Sequence, residues 1–350
     1  MNQSAHEAND RLTAGREPSV SPPAPPGQPV IELKRLTKTY GDHTAVNALD
    51  LTIRRGEIFG LLGPNGAGKT TTILMMLGLT EPTSGSARVC GLNPARHALQ
   101  VKRLVGYMPD DIGFYEDRTG LDNLIFTARL NRLPEREARD RALQLLELVG
   151  LSHAAGKKVG AYSRGMRQRL GIADVLIKRP EVIILDEPTL GIDPEGVREL
   201  LQLISDLSRK EGLTVLLSSH HLHQVQQICD RVGLFVQGRL IALGSVAELA
   251  EQLDETGTVT VLIEASGWTD ALTERLQALE GVQSVSVDAK ASTENTAAGE
   301  SVATLVCSRD VTSEAAAAVI ECGARLHAIS RRQYGLDDIY HRYFEGRETR

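Results

Sequence analysis

The chain has 350 residues, 41% hydrophobic and 24% charged, enough for about two domains with a sizeable core. A net charge of −6 argues against a nucleic-acid partner, and four cysteines without a CxxC pair (Cys90, Cys229, Cys307, Cys322) imply no metal cluster and suggest a reducing compartment. No run of about 18 or more apolar residues occurs, so the chain is not expected to span a membrane, and any membrane role must come through a partner.

Residues 1–29 lack the apolar core of a secretion signal and carry Ser21-Pro22-Pro23-Ala24-Pro25-Pro26, which reads as a disordered arm. Alternation from Ile31 through Ala45-Val46 to Leu51-Ile53 predicts short strands, punctuated by Tyr40-Gly41-Asp42 and Arg55-Gly56-Glu57. Ile58-Phe59-Gly60-Leu61-Leu62 reads as a buried strand and Thr70 to Leu79 as a helix. From Asp117 to about Ala155, apolar residues recur at helical spacing among Arg and Glu, as in an inserted helical subdomain. Strands are expected again at Val182 to Leu185, Thr214 to Ser218 and Val232 to Val236. With helices between them, the result is an α/β domain with a largely parallel sheet. Beyond Leu249, the order βαββαβ is read from Val259–Ile263, Thr269–Leu279, Val282–Val287, Val302–Cys307, Ser313–Cys322 and Leu326–Ser330, an α+β ferredoxin-like unit. The loop from Lys290 to Glu300 is polar and expected to be mobile.

Between the buried strand and the helix stands Gly63-Pro64-Asn65-Gly66-Ala67-Gly68-Lys69-Thr70, which matches the phosphate-loop pattern GxxxxGK[ST]. Its glycines let backbone N–H groups converge on phosphate oxygens, and the helix after it adds partial positive charge. Lys69 is placed to reach the β- and γ-phosphates and the Thr70 hydroxyl to ligate Mg²⁺, with Thr71 beside it; an ordinary flexible loop is the bland alternative. Asp186 and Glu187 end an apolar run and precede Pro188. There an aspartate can hold Mg²⁺ and the adjacent carboxylate can polarise an attacking water, although a charged pair at a strand end is more often simply solvated.

With these residues in hand, the chain resembles an ATP-binding cassette (ABC) ATPase from about Ile31 to Leu249. Tyr40 stands where that family stacks an aromatic ring on adenine; a half-buried core tyrosine is the alternative. Tyr162-Ser163-Arg164-Gly165-Met166 occupies the place of the LSGGQ signature. Asp186-Glu187 match the Walker B aspartate and catalytic glutamate, Leu190-Gly191-Ile192-Asp193 the D-loop, and His220 the switch histidine, with His221 and His223 taken to face solvent. The absence of an NKxD motif weakens a GTPase reading.

Two departures from the family stand out. Asp110 replaces the usual glutamine after Gly106-Tyr107-Met108-Pro109; it is shorter and charged, Asp111 is a competitor for the same metal, and both are alternatively mere loop caps. Arg164 and Met166 replace the first glycine and the glutamine of the signature. Arg164, Arg167 and Arg169 put cations near a helix start, where the macrodipole disfavours them. Polyphosphate would relieve that conflict; acidic neighbours or water are the bland reading for Arg167 and Arg169. Ser163 and Gly165 are the stronger candidates to approach a partner's γ-phosphate.

The resemblance implies a P-loop NTPase cassette over residues 30–249 with a helical subdomain at about 112–178, and a ferredoxin-like accessory domain over 255–346. The run Tyr162 to Gln168 is similar to cassettes that serve separately encoded exporter permeases. That branch carries a tail like Leu336-Asp337-Asp338-Ile339-Tyr340. Such a relative is a peripheral protein on the cytoplasmic face of the membrane, with ATP and Mg²⁺, a multispan permease and a second cassette, identical or not, as partners. Its two cassettes close head to tail around two ATPs, and the Asp110 to Leu124 surface transmits the motion. A soluble single-cassette ATPase acting as a scaffold or assembly factor is the alternative.

Overall fold

The computed structural model describes residues 27–253, 259–289 and 300–331. Residues 1–26 of the expected arm, the loop 290–299, the Leu336 to Tyr340 segment and the expected domain end at 346 lie outside these, as does the side chain of His223. Gly27 to Pro29, read as the end of the arm, instead belong to the fold: Gly27 N–H reaches Arg55 O at 3.4 Å, and Pro29 opens the first strand opposite Arg54.

That strand, β1 (Pro29–Tyr40), turns through Gly41-Asp42 into β2 (His43–Arg54). Gly41 has φ +55, the conformation a two-residue hairpin turn requires. The expected short strands are thus one long antiparallel pair. β3 (Ile58–Leu62) leads into α1 (Lys69–Met76), and β4 (Ser84–Val89) returns to pair with β1 as a three-stranded sheet in the order β2-β1-β4.

α2 (Pro94–Leu104) and β5 (Val105–Met108) precede the inserted helices α3 (Gly120–Leu130) and α4 (Glu135–Leu148). α3 begins with a reciprocal capping box between Thr119 and Asp122. After α5 (Arg164–Leu176) come β6 (Val182–Asp186), α6 (Pro194–Glu211) and β7 (Thr214–Ser219). α6 has an Asp193 cap, Pro194 at its start and Gly212 at φ +69 at its end. Next in the chain are α7 (Leu222–Val225), β8 (Arg231–Val236), β9 (Arg239–Gly244) and α8 (Val246–Leu253).

The main sheet runs β5-β6-β7-β3-β8-β9, parallel except for β9 at its edge. β3, β6 and β7 are buried along their whole length, which is why they read as unbroken apolar runs. Alternation still divides them. Ile183 and Leu185 face a core shared with α3 to α6, whereas Val182 and Ile184 face a core shared with β1, β2, β4 and α1. The C-terminal ends of β5, β6, β7 and β3, adjacent in the sheet, converge on one crevice, the usual ligand position in such sheets.

The remaining described residues form β10 (Val259–Ser266), α9 (Asp270–Gln277), β11 (Val282–Ala289), β12 (Glu300–Cys307), α10 (Thr312–Glu321) and β13 (Arg325–Arg331). Their sheet order, β11-β12-β10-β13, is fully antiparallel and has a core of its own built on Val261, Ile263, Leu272, Leu305 and Val319. This is the split βαβ arrangement of ferredoxin-like folds.

Candidate active site

The loop from Gly63 to Gly68 joins β3 to α1 and wraps the entrance of the helix. Two of its glycines are required by close packing: a β-carbon on Gly63 would stand 2.1 Å from Phe235 O, and one on Gly68, at φ +103, 2.2 Å from Ala45 O. Gly66, at φ +78, has open space where a side chain would be. This loop forms one wall of a cavity of about 390 Å³, lined also by Tyr40, His43, Lys69, Thr70, Thr71, Asp110, Asp186 and Glu187, with Asn65 and Ala67 from the loop. Gly63 and Pro64 lie behind it and accept hydrogen bonds from Lys69 Nζ at 2.7 and 3.2 Å.

Lys69 is buried, and its ammonium also stands 3.4 Å from Glu187 Oε1. The other Glu187 oxygen is 2.9 Å from His220 Nδ1, so His220, rather than the exposed His221, meets the carboxylate. Asp186 is held from two sides: Thr70 Oγ1 donates to Oδ2 at 3.0 Å and Ser218 Oγ to Oδ1 at 2.7 Å. Burial raises the Asp186 carboxyl pKa; the Ser218 and Thr70 hydrogen bonds oppose this, while the charges of Glu187 and Asp110 reinforce it. Burial likewise pushes the neighbouring Tyr107 phenol up to about 12, helped by Asp186 and Asp110.

Asp110 lies just past β5 on the cavity rim, exposed, and accepts the Asp111 N–H at 2.9 Å. Asp111 does not line the cavity. Tyr40 also lines the cavity and stands half-exposed, with the Lys38 ammonium 4.8 Å from its ring centroid.

None of Ser163, Arg164, Gly165, Met166 or Asp193 lines this cavity. Ser163 caps α5 by accepting Met166 N–H at 3.3 Å, and Met166 packs against the helical core. Asp193 caps α6 through Gly196 N–H at 3.1 Å. Arg167 pairs with Glu116 at 2.9 Å and Arg169 pairs with Glu199, so acidic neighbours, not a ligand, offset those two cations.

Two residues at the site, Ser218 and His43, are missed by sequence reasoning. Ser218 is visible there only as a polar residue ending an apolar strand. His43 reaches the rim because the hairpin sets it opposite Tyr40.

A glycine loop between strand and helix, whose threonine is hydrogen-bonded to an aspartate ending a parallel strand one place removed in the same sheet, defines a P-loop nucleotide-binding protein. Known proteins make the class specific. A family model described as ABC transporter matches residues 46–190. The linearmycin resistance ATP-binding protein LnrL of Bacillus subtilis is 36% identical over 258 residues, 74% of this chain and 82% of that protein. The bacitracin transport ATP-binding protein BcrA of Bacillus licheniformis is 42% identical over 212 residues, 61% of this chain and 68% of that protein. Among solved structures, cbiO1 of Clostridium perfringens, part of the ABC transporter complex cbiONQ, aligns with TM-score 0.59 and 28% identity, covering 65% of this chain and 94% of its own. A dimeric ATP-binding cassette in a post-hydrolysis state with ADP and Pi aligns with TM-score 0.56 and 25% identity, covering 61% and 98%. The chain belongs to the ABC transporter family, as one of its ATP-binding, ATP-hydrolysing subunits.

Proposed function

We propose that this chain is the motor of an exporter whose multispan permease is a separate polypeptide, held at the cytoplasmic face of the membrane and working as a head-to-tail pair of cassettes, identical or not. The observation that carries the reading is the separation of two half-sites: Lys69, Thr70, Asp186 and Glu187 converge on one cavity, whereas Ser163 to Met166 lie outside it. The export assignment draws on relatives named for linearmycin resistance and bacitracin transport. No helix among the described residues is long and apolar enough to cross a membrane, so the translocation path is assigned to the permease.

In this scheme Tyr40 stacks on adenine and the N–H groups from Gly63 to Thr71 cradle the phosphates, with Pro64, Asn65 and Ala67 shaping the loop. Lys69 exchanges its carbonyl contacts for phosphate oxygens. The donor set near Thr70 fits Mg²⁺: a hydroxyl and the Asp186 carboxylate, both hard oxygens, are 3.0 Å apart, with Asp110 on the same cavity wall. Few protein ligands suffice, because Mg²⁺ keeps waters and takes substrate phosphates; when bound it neutralises charge developing on the β- and γ-oxygens. Glu187 accepts a proton from the attacking water, oriented by His220. Ser163, with the α5 N-terminus and Gly165, closes on the partner's γ-phosphate, and Asp193 faces the partner across the D-loop.

The permease is assigned to a groove of about 570 Å³ between the loop after Asp110 and α3, with Tyr115, Ile125 and Phe126 as apolar floor and Arg118, Asp122 and Arg129 as rim. Tyr115 and Phe126 meet edge to face at 5.2 Å, a rigid aromatic surface of the kind interfaces use. Affinity purification of the full chain from solubilised membranes tests the assignment. A multispan partner lost with Phe126→Asp supports it, and a chain recovered only from the soluble fraction without such a partner refutes it.

A further inference from the structure

Glu187 has φ +50, a left-handed backbone that a residue with a β-carbon keeps only when its surroundings over-determine it. Its own N–H donates to Ser218 O at 3.0 Å, and Leu190 N–H donates back to Glu187 O at 3.1 Å, closing a tight turn. A third contact reaches the turn from another element. Arg164 Nε–H, at the first position of α5, donates to Leu190 O at 2.5 Å. The Arg164 side chain lies along Gly191, at φ +71, where a methyl would come within 2.9 Å of its Cδ and Nε. Arg167 and Arg169 answer to carboxylates, whereas Arg164, the cation nearest the helix start, is turned to a backbone carbonyl.

We infer that Arg164 is a positioning residue that ties the signature helix to the turn carrying the same protomer's Glu187, and so couples the partner's ATP site to its own. The inference rests on the dimeric reading above. When Ser163 and Gly165 close on the partner's γ-phosphate, the N-terminus of α5 carries Arg164 with it. Arg164 pulls on Leu190 O, and the 187–190 turn fixes where the Glu187 carboxylate points. Hydrolysis at one site thereby depends on nucleotide at the other.

The test is hydrolysis by the full chain as a function of MgATP concentration for Arg164→Ala and Arg164→Lys, with ATP-induced dimerisation measured for each in the Glu187→Gln background. The inference expects Arg164→Ala to lower kcat on the order of tenfold, with KM within about twofold of wild type and the Hill coefficient falling toward about 1. Dimerisation occurs at unchanged ATP concentration. Arg164→Lys, which keeps the charge but not the Nε–H donor, behaves like Ala. A raised KM with a lost dimer makes Arg164 a ligand of the partner's phosphate and overturns the inference; unchanged kcat and cooperativity overturn it as well. If Glu187→Gln alone gives no ATP-dependent dimer, the dimeric reading itself fails and the coupling falls with it.

Discussion

Replacing Glu187 by Gln keeps the shape of the side chain while removing its charge, and the contacts of the carboxylate set the consequences. It lies 3.4 Å from the Lys69 ammonium and 2.9 Å from His220 Nδ1, with 12% of its side-chain surface exposed. As base, it contributes about 10²–10⁴ in rate, or about 3–5 kcal/mol of barrier, so turnover falls by that factor. Without nucleotide, Lys69 keeps the Gly63 and Pro64 carbonyls but loses its one anionic contact among the described residues, at a cost of about 1–3 kcal/mol of stability. ATP phosphates restore an anionic partner, so nucleotide raises Tm more in the variant than in wild type. Single-turnover hydrolysis, thermal melts with and without MgATP, and size-exclusion chromatography with ATP read the three effects. Turnover within about threefold of wild type would refute the assignment of Glu187 as base.

Other substitutions probe other links. Burial of Asp186 is costly to its charged form: a raised folded pKa means that its contribution to nucleotide-free stability is largest at low pH and is lost as pH rises through that pKa. Asp186→Asn accordingly raises Tm at neutral pH on the order of 2–4 °C without nucleotide, flattens the acid side of the Tm profile and abolishes hydrolysis; a lowered Tm contradicts the burial argument. Tyr40→Ala weakens ATP binding by about 1–3 kcal/mol in equilibrium titrations while Tyr40→Phe leaves it near wild type, and equal affinities would show that the ring does not stack. A methyl on Gly120 would stand 2.3 Å from the Tyr162 hydroxyl, which donates to Ala154 O at 2.7 Å. Gly120→Ala therefore lowers stability by about 1–3 kcal/mol in urea melts, and adding Tyr162→Phe recovers part of it; additive losses would mean that the two residues do not collide.

Features governed by local physics are legible in the sequence, and those that depend on tertiary juxtaposition are not. The phosphate loop, the fully buried strands ending at Leu62, Asp186 and Ser219, and the C-terminal βαββαβ order are written in contiguous runs. The three-stranded sheet and the edge strand β9 of the main sheet are not. β4, Ser-Gly-Ser-Ala-Arg-Val, buries only Ala87 and Val89, and β9 buries little more than Ala242 and Gly244, so neither carries a full apolar face. β1 and β2 carry bulges that break the alternation into apparent short strands. At the site, Lys69, Asp186 and Glu187 are legible from motif order. The Ser218 hydrogen bond, the left-handed Glu187 and the Arg164 contact to Leu190 join residues from separate elements, and no spacing announces them. The arginine pattern at α5 does foretell paired cations for Arg167 and Arg169, with the partners Glu116 and Glu199 supplied by distant segments.

The central claim, that each ATP is served by two chains, is tested most directly by complementation. Lys69→Ala removes a protomer's own phosphate grip, and Gly165→Asp spoils only what it offers its partner; aspartate in the first turn of α5 suits the helix dipole, so the fold is kept. Each variant alone is inactive. Mixed in equal amounts, half of the dimers are hybrids with one of two sites intact, and the account predicts hydrolysis well above that of either variant alone, with about a quarter of wild type as its ceiling and the Arg164 coupling to the empty second site lowering it further. A mixture no more active than its separate components would contradict it.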